Sequence, residues 1–441
     1  MSGLRFTGGV TTGCCVFALL LVAPVVASAQ TDGEVTFAKD VAPIFQQKCQ
    51  VCHQPDSIGP MSLLTYEEAR PWAGAIKRKV VARVMPPWHI AKNVGIKNFK
   101  NDRSLSDEQI DVIVRWVDTG APLGDVNDLP PPVEWPDPEA WQLAERFGEP
   151  DLIVRSAPHT MAASGQDRWW RPVVDTGLTE PRWVRAIEIK PSFSGRKMVH
   201  HVLASLVQEE DEVTRLATSF EGATPGAGLF MEWAIGKVGE IFPDDSGKLM
   251  LPGSKIRWEV HYHAIGQELK DDVVEMGLYF YPKGQEPRYR SILTGFGGRE
   301  GEMDIRPNQI TTTVGFTLLR APARLENFQP HMHMRGKAMS MEAIYPDGRI
   351  EQLSTVDNFQ WNWHVNYVYA DDVAPVLPRG TIIKITTWHD NTAANPANPD
   401  PAQWVGYGER TVDEMGFAWV DVTYLNEDDY ERLVAERGAR Q

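Results

Sequence analysis

Cysteine is scarce in this chain: only four cysteines occur among its 441 residues. A secreted protein held together by disulfides would have more cysteines at wider spacings. The fold must therefore be held together mainly by apolar burial, for which a hydrophobic content of 42% is sufficient. At this length we expect two or three domains rather than one core.

The chain also has fewer basic than acidic residues. The chain has 44 Lys and Arg against 59 Asp and Glu, which gives a formal net charge of −15. This balance argues against nucleic acid or an anionic membrane surface as a partner. No apolar run approaches the roughly 20 residues that a transmembrane helix needs. We therefore expect no membrane span in the mature chain.

The N-terminus has the features of a secretory signal. Residues 17–26 form a short apolar run, and residues 27–29 (Ala-Ser-Ala) fit the small-residue rule for cleavage. We predict a signal peptide over residues 1–29 and a periplasmic or secreted mature protein. Cys14 and Cys15 would leave with the signal, so only two cysteines would remain.

Those two cysteines form a C-x-x-C-H motif of Cys49, Cys52 and His53. Two thiols at this spacing can add across the vinyl groups of a haem, and the adjacent histidine can ligate the iron. A thioredoxin-like redox pair is the alternative, but it has no need of the histidine. Residues 37–48, which precede the motif, read as a helix. The motif predicts one covalently attached haem c.

The second axial ligand of that haem is less well defined by the sequence. Methionine is the usual partner of histidine in electron-transfer cytochromes. Met85 lies in a Val-Met-Pro-Pro-Trp segment whose prolines could hold the thioether over the ring. Met61 is the second candidate and His89 the third. We predict Met85 and leave the other two open.

The remainder of the first segment is consistent with a small helical domain. Ser106 and Gln109 have the spacing of a capping box, apolar residues follow at helical intervals, and Gly120 can end the helix. Together with the haem motif, this pattern resembles the class I c-type cytochromes over residues 34–125. Five prolines then fall between positions 130 and 138. They predict a semi-rigid linker over residues 126–149.

From about residue 150 the pattern becomes that of β-strands. Short alternating or β-branched runs recur with turn residues between them, and residues 346–348 (Pro-Asp-Gly) are a strong turn signal. No helical or parallel-sheet periodicity appears in this region. We predict an all-β region of two sandwiches.

Six of the eleven histidines fall into three tight clusters in this region: His200-His201, His261 with His263, and His331 with His333. Successive side chains of a strand point to opposite faces, so an H-x-H pair presents both imidazoles on one side. The adjacent pair needs a twist or a bulge before both of its rings can reach one ion. Satisfied structural histidines would explain one such pair more simply than three.

The ligand types favour copper as the metal. Imidazole sets suit zinc, copper, iron or nickel, and a thioether would tilt the choice to copper. The chain has no H-E-x-x-H motif, so it shows no general base of a zinc hydrolase. A haem in the same chain points to electron transfer, which zinc cannot perform.

The ordered motifs around these histidines resemble those of the type II copper monooxygenases. This family includes dopamine β-monooxygenase and the peptidylglycine α-hydroxylating monooxygenase. The matching segments are residues 199–202 (Val-His-His-Val), 258–263 (Trp-Glu-Val-His-Tyr-His), 329–333 (Gln-Pro-His-Met-His) and 413–415 (Asp-Glu-Met). The resemblance implies two jelly-roll sandwich domains, over residues 150–292 and 293–430, with one copper each facing across an open cleft.

The resemblance also assigns the ligands, residue by residue. It implies that the electron-storing copper is held by His200, His201 and His261. It implies that the copper that binds dioxygen, the catalytic one, is held by His331, His333 and Met415. His263 is not a ligand in the family pattern.

The implied activity is hydroxylation of a C–H bond in a small organic substrate with O2. Two departures from the family bear on it. The animal enzymes take electrons from ascorbate and lack a fused cytochrome, so here we expect the haem domain to pass on electrons from an unknown donor. The peptide-hydroxylating branch anchors a peptide carboxylate through an arginine and a tyrosine, whose places are taken by Gln329 and Trp419. A glycine-extended peptide is therefore not the expected substrate.

Two other functions fit parts of the sequence. One is a non-catalytic periplasmic electron carrier or copper-binding protein with haem and copper. The other is a cytochrome fused to a carbohydrate-binding sandwich, in which the histidines would be structural. Bound copper separates the first from the second, and substrate-dependent oxygen uptake separates the enzyme from both.

Overall fold

The structure is a computed structural model that describes residues 33–135, 137, 139–210, 227–298 and 303–439. The predicted signal peptide lies outside the described residues. The chain is mostly β-sandwich with few helices. Among the described residues, no helix is both long enough and apolar enough to cross a membrane.

The N-terminal part is helical and has its own apolar core. A π-helical turn, Phe37–Val41, leads into α1, so the predicted helix before the haem motif is confirmed. Its core packs Phe37, Phe45 and Trp116 together. The helices of the chain are α1 (Ala42–Lys48), α2 (Tyr66–Ala69), α3 (Ala73–Val81), α4 (Asp107–Asp118), α5 (Ala144–Phe147) and α6 (Glu427–Gly438), with 3-10 turns at Arg70–Trp72, Val126–Asp128 and Gly195–Lys197.

The start of α4 forms as the sequence predicts. The Ser106 hydroxyl accepts a hydrogen bond from the Gln109 backbone N–H at 3.1 Å, and the Gln109 side-chain oxygen accepts one from the Ser106 N–H at 3.0 Å. Each residue thus satisfies a backbone donor that the first turn leaves free. Gly120 follows the helix with a φ of +94°, which a glycine adopts without strain.

Residues 88–101 leave this helical part and pack on the C-terminal sandwich. Ile90 forms a β-bridge with Val356, and Phe99 forms one with Tyr369. The side chains of Trp88, Ile90 and Phe99 join the core of that sandwich. We call residues 88–101 the arm. It fixes the helical part against the second sandwich through apolar contacts and backbone pairing.

The first sandwich packs a sheet in the order β1-β12-β5-β9 against one in the order β3-β10-β6-β7. Ile187 and Leu278 from the first sheet meet Val202 and Trp258 from the second in a continuous core. Its strands are β1 (Leu152–Arg155), β2 (His159–Met161), β3 (Arg168–Trp170), β4 (Val173–Asp175), β5 (Arg182–Lys190), β6 (Val199–Val207), β7 (Ala227–Ala234), β8 (Gly239–Ile241), β9 (Ser246–Met250), β10 (Lys255–Tyr262), β11 (Leu269–Asp272) and β12 (Glu275–Phe280).

The second sandwich packs β13, β24, β16, β17, β20 and β21 against a sheet in the order β15-β22-β18-β19. Phe328 and Val420 face Met341 and Ile385 in its core. Its strands are β13 (Tyr289–Gly297), β14 (Asp304–Ile305), β15 (Ile310–Leu318), β16 (Ala323–Leu325), β17 (Asn327–Met332), β18 (Gly336–Ile344), β19 (Ile350–Val356), β20 (Tyr367–Val368), β21 (Val376–Leu377), β22 (Ile382–Asp390), β23 (Val405–Gly406) and β24 (Gly416–Tyr424).

One sheet of each sandwich continues into the other. Strand β13 pairs in parallel with β9, with Tyr289 opposite Ser246 and Arg290 opposite Gly247. This pairing joins the two sandwiches edge to edge and leaves a seam between them. The linker packs on β5 of the first sandwich, where the backbone N–H groups of Gln142 and Leu143 donate to the buried Glu188 carboxylate at 3.0 and 2.9 Å.

Candidate metal centre

A β-bulge in the first sandwich brings three histidines together. His201 of β6 lies opposite His261 of β10, but the next pair is Val199 with Tyr262, so His200 is the extra residue. A bulge lets neighbouring side chains of one strand turn toward the same side. The Nδ1 atoms of His200 and His201 lie 3.1 Å apart, and those of His201 and His261 lie 3.4 Å apart.

These three histidines have the spacing of a metal site. Their ligand atoms all lie within 4.8 Å of one another. Among the described residues, no other group of three His, Cys, Asp or Glu side chains meets that spacing. We call His200, His201 and His261 the first histidine set.

Asp167 fixes the orientation of the first set. The His261 Nε2–H donates to one carboxylate oxygen of Asp167 at 2.9 Å, and His263 Nδ1 bonds to the other at 2.7 Å. Trp169 stacks on the His261 ring at a centroid distance of 4.3 Å. A carboxylate that holds one ring nitrogen leaves the other as a lone-pair donor, which is the usual arrangement of a metal-bound histidine. His263 is exposed, and it bonds to Asp167 rather than contributing to the first histidine set.

The second histidine set is His331 and His333, at the end of β17. His331 lies opposite Phe417 of β24, and its ring contacts Phe417 and Trp419 at centroid distances of 5.0 and 4.6 Å. Met415 precedes Phe417 by two residues but lies before β24 begins at Gly416, so the alternation of strand side chains does not place its thioether. The register therefore places His331 on the face of Phe417 and Trp419, while His333 and Met415 lie just beyond the ends of β17 and β24.

Glu414 fixes the backbone that follows β17. Its carboxylate accepts the backbone N–H groups of His333 at 2.9 Å and of Arg335 at 2.6 Å. The Asp413 carbonyl accepts the His333 Nδ1–H at 3.1 Å. Burial raises the pKa of Glu414 to about 8. The backbone of both ligand-bearing segments is thus fixed by one buried side chain.

The two histidine sets meet across the seam. The rings of His201 and His331 have a centroid separation of 6.3 Å. The expectation of two sites facing each other across an open cleft is therefore wrong for this structure. The physical reason is the β9–β13 pairing, which holds the sandwiches edge to edge, and a layer of buried charges that fills the seam behind the histidines.

Buried ion pairs make up that layer. Lys237 lies 3.5 Å from Glu232 and 2.5 Å from Glu240, and Lys248 lies 2.9 Å from Asp421 of the second sandwich. All five side chains are almost completely buried. Breaking such a pair costs far more than breaking a surface pair, so the layer favours the closed seam.

His364 completes the cluster, and sequence reasoning missed it. It lies in the loop between β19 and β20, and its ring is 4.6 Å from that of His331, 5.6 Å from that of His200 and 5.9 Å from that of His201 by centroid. The residue has no second histidine near it in the sequence, only the neighbouring aromatic residues Trp361 and Trp363. No spacing signal could have singled it out.

The cluster is electrostatically suited to bind a metal. Burial, reinforced by the neighbouring histidines, lowers the pKa of His200 to about 3 and holds the pKa of His201 and His331 well below the ordinary value. Burial also lowers the pKa of His333 to about 4. These four imidazoles, with a pKa below the ordinary value, are therefore neutral at physiological pH, the form in which imidazoles ligate metals.

Two ring nitrogens without hydrogen-bond partners also indicate a metal-binding site. The Nδ1 atoms of His331 and His364 are buried and have no hydrogen-bond partner. Buried polar atoms are rarely left unpaired in folded proteins, so an ion is a reasonable partner for them. Neutral imidazoles with one thioether suit copper, so the residues present fit that metal.

The C-x-x-C-H motif retains the donors that covalent haem attachment would use. Cys49 and Cys52 are free thiols, and the His53 Nδ1–H donates to the Met61 carbonyl at 3.1 Å, which leaves Nε2 for iron. Burial raises the pKa of Cys49 to about 12 and also raises that of Cys52. A thioredoxin-like pair needs a depressed thiol pKa, so these residues fit a haem better than a redox disulfide.

The three candidates for the second axial ligand lie in two places. Met61 lies in the loop that follows the motif, and its backbone carbonyl accepts the hydrogen bond from His53 Nδ1. Met85 and His89 line a small cavity of about 170 Å³ beside α3. His89 is buried, its backbone N–H donates to the Tyr367 hydroxyl at 3.0 Å, and its Nε2 has no partner. Met85 stays a prediction.

Comparison with known proteins adds little to this picture. No family model matches the sequence, and no curated protein matches it. The chain is similar to the solved structure of the major capsid protein P2 from bacteriophage PM2, with a TM-score of 0.30 and 12% identity over 62% of this chain and 96% of that one.

Two further solved structures also match with low TM-scores. A cowpea mosaic virus empty particle gives a TM-score of 0.29 and 7% identity over 67% of this chain and 94% of that one. A mutant of Bacillus subtilis oxalate decarboxylase gives 0.13 and 6% over 67% and 85%. Scores of this size carry no argument, so the function has to be inferred from the site.

Proposed function

We propose that this chain is an exported copper-dependent monooxygenase that hydroxylates a C–H bond of a small organic substrate with O2. The observation that carries the proposal is the convergence of two histidine sets from different sandwiches on one point of the seam. In finer terms, we infer a class I cytochrome c domain followed by two jelly-roll sandwiches, each of which holds one copper ion.

The first histidine set would hold the copper that stores an electron. Its three Nδ1 atoms converge, and Asp167 fixes the His261 ring so that its lone pair points to the ion. Imidazole donors bind both oxidation states of copper. A site fixed by a bulge and a carboxylate needs little rearrangement when the charge of the ion changes.

The second set would hold the copper that reacts with O2. Copper supplies the one-electron and oxygen chemistry here, which no amino-acid side chain can perform. Met415 adds a soft thioether that favours the reduced ion. Glu414 and the Asp413 carbonyl keep the His333 imidazole and the Met415 backbone in place. Burial beside Phe417 and Trp419 excludes water from the His331 side.

The haem motif would serve as the electron inlet. Arg103 lies between it and the seam: its guanidinium donates to the Gly236 carbonyl at 3.4 Å, and its charge acts on the Cys52 thiol. Gly236 packs close to the Trp363 ring, and Trp363 precedes His364. Arg103 thus acts electrostatically on the attachment site and bonds to a glycine that packs beside Trp363, next to His364 in the chain.

A small organic molecule fits the site better than a peptide. Gln329 is fully buried and donates to the Glu232 carboxylate, and Trp419 is buried against His331. Neither side chain is free to anchor a peptide carboxylate. A cavity of about 890 Å³ opens beside the cluster, with Ile235, Phe242, Trp363 and His364 in its wall.

Metal content and product analysis test the proposal. The mature protein, loaded with copper and dialysed, should retain two copper ions per chain by elemental mass spectrometry. Oxygen uptake should then depend on an added substrate, and labelled O2 should place one labelled oxygen atom in the product. A protein that retains no copper would refute the proposal.

A non-catalytic electron carrier or copper-binding protein is the second candidate. The closed seam favours it, since His331 is only 3% exposed and faces aromatic rings rather than an open cleft. A carrier would retain copper and accept electrons from the haem, yet its oxygen uptake would not respond to any substrate. The labelled-oxygen experiment separates the two functions.

A further inference from the structure

We propose that His364 is an additional metal-ligating side chain of the seam, oriented by the buried carboxylate of Glu232. This inference rests on the proposed copper centre but goes beyond it, because neither the motifs nor the three-histidine spacing includes His364. It assigns the second site a third imidazole, from a loop with no recognisable ligand pattern.

Ring geometry is the first step of the argument. Within the first histidine set, the ring centroids are 4.8 to 5.4 Å apart. The His331 and His333 rings are 5.2 Å apart, and the His331 and His364 rings are 4.6 Å apart. His364 is therefore as close to a predicted ligand as the predicted ligands are to each other.

The second step is the position of Glu232 behind the ring. Its Oε1 atom lies 3.9 Å from His364 Nδ1, and neither atom has a hydrogen-bond partner. The other carboxylate oxygen accepts a hydrogen bond from Gln329 and lies 3.5 Å from Lys237. A small movement would close the bond from Nδ1–H to Oε1 and leave Nε2 as the lone-pair donor. This repeats the relation between Asp167 and His261.

A purely structural role explains these contacts less well. Lys237 already balances the charge of Glu232, so His364 is not needed as a protonated counter-ion. A neutral histidine kept only for packing would be expected to satisfy its buried ring nitrogen, and Nδ1 is unsatisfied. The ring also lies close to the rings of His200, His201 and His331. A metal ion bound there would repel a protonated His364, which is a further argument against a role as counter-ion.

The consequence is a metal centre that joins the two sandwiches. His364 comes from the second sandwich and Glu232 from the first, while His331 and His200 contact the same ring from either side. An ion held by His331 and His364 would be oriented indirectly by a carboxylate of the opposite sandwich. Metal binding would then stabilise the closed seam as well as the ligand loop.

Copper titration of the full mature protein tests the assignment. Cu(I) affinity is measured for both sites by competition with a chelator, and the imidazole count per copper is measured by X-ray absorption. In His364→Gln we expect one of the two ions to bind at least tenfold more weakly and the average imidazole count to fall. In Glu232→Gln we expect a smaller loss of affinity, with the imidazole count unchanged.

His159→Gln is the matched control, because His159 also has a buried, unpartnered Nε2 but stacks on Trp170 away from the cluster. Thermal unfolding of the metal-free variants checks folding, and Glu232→Gln carries the test if His364→Gln does not fold. Equal affinities and spectra for wild type and His364→Gln would refute the inference and leave the proposed function intact. Failure of the wild type to bind copper would instead refute the proposed function.

Discussion

His201 of β6 and His331 of β17 belong to different sandwiches, yet their rings face each other at a centroid distance of 6.3 Å. Both imidazoles are buried, and burial keeps both of them neutral. A cluster of neutral, buried imidazoles is costly to assemble without a partner for its nitrogens. Of the two, only His331 has a buried ring nitrogen without a hydrogen-bond partner, which is the place that the proposed metal would fill.

Asp167→Asn should weaken copper at the first histidine set. The carboxylate fixes the tautomer and the orientation of the His261 ring, and loss of such a partner typically costs ~10–100-fold in metal affinity. Isothermal or chelator-competition titration measures the change. Asp175→Asn, which alters an exposed aspartate in the same sandwich, should leave the affinity unchanged. An equal effect of both substitutions would contradict the role given to Asp167.

Met415→Leu should lower Cu(I) affinity at the second site and abolish substrate-dependent oxygen uptake. The substitution keeps the volume of the side chain but removes its soft sulfur donor, so the fold should survive. Met341→Leu is the control, because Met341 is a fully buried core residue of the same sandwich. If Met415→Leu binds Cu(I) as tightly as wild type, Met415 is not a ligand.

Replacing both Cys49 and Cys52 with alanine should abolish covalent haem attachment without changing the copper content. The helical part has its own core, separate from those of the two sandwiches. Haem-dependent peroxidase staining after denaturing electrophoresis detects the attachment, and elemental analysis counts copper. Retention of haem in the double variant would rule out the attachment site.

Asp421→Asn should change how stability depends on pH. Burial raises the pKa of Asp421 from 3.8 to about 6, so the folded state holds this proton more tightly than the unfolded state. The proton-dependent stability is present below about pH 4 and is lost as the pH rises through about 6. Urea unfolding should show wild type losing ~1–3 kcal/mol relative to the variant over this range.

Asp128→Asn makes the same substitution at an exposed aspartate and is the control for the exchange itself. If the difference in unfolding free energy between wild type and Asp421→Asn does not change with pH across the same range, the raised pKa of Asp421 is contradicted.

Phe99→Ala should destabilise the second sandwich by ~3–5 kcal/mol, the usual cost of truncating a buried phenylalanine. Phe99 is 7% exposed and stacks on Tyr369 at a centroid distance of 5.6 Å, although it belongs to the arm. Phe316→Ala, on the exposed edge strand β15, should change stability by less than about 0.5 kcal/mol. Similar unfolding midpoints for the two variants would show that the arm is not part of that core.

Much of the local structure could be predicted from the sequence because it depends on neighbouring residues. The helix before Cys49, the capping box of Ser106 and Gln109, and the change to β-structure near residue 150 all follow from periodicity and turn chemistry. The need for a twist or a bulge at the adjacent pair of histidines also follows, because adjacent strand side chains point to opposite faces. The register confirms that bulge.

The sequence by itself indicated the C-x-x-C-H motif and the clustered histidines as candidate haem and metal residues, since C-x-x-C-H and H-x-H are local patterns. Only the tertiary structure decided that the histidine sets meet, that the arm packs on the second sandwich and that His364 joins the cluster. These contacts depend on strand pairing and apolar burial between residues far apart in the chain. No local pattern encodes them, because their free energy comes from surfaces that exist only after the sandwiches have formed.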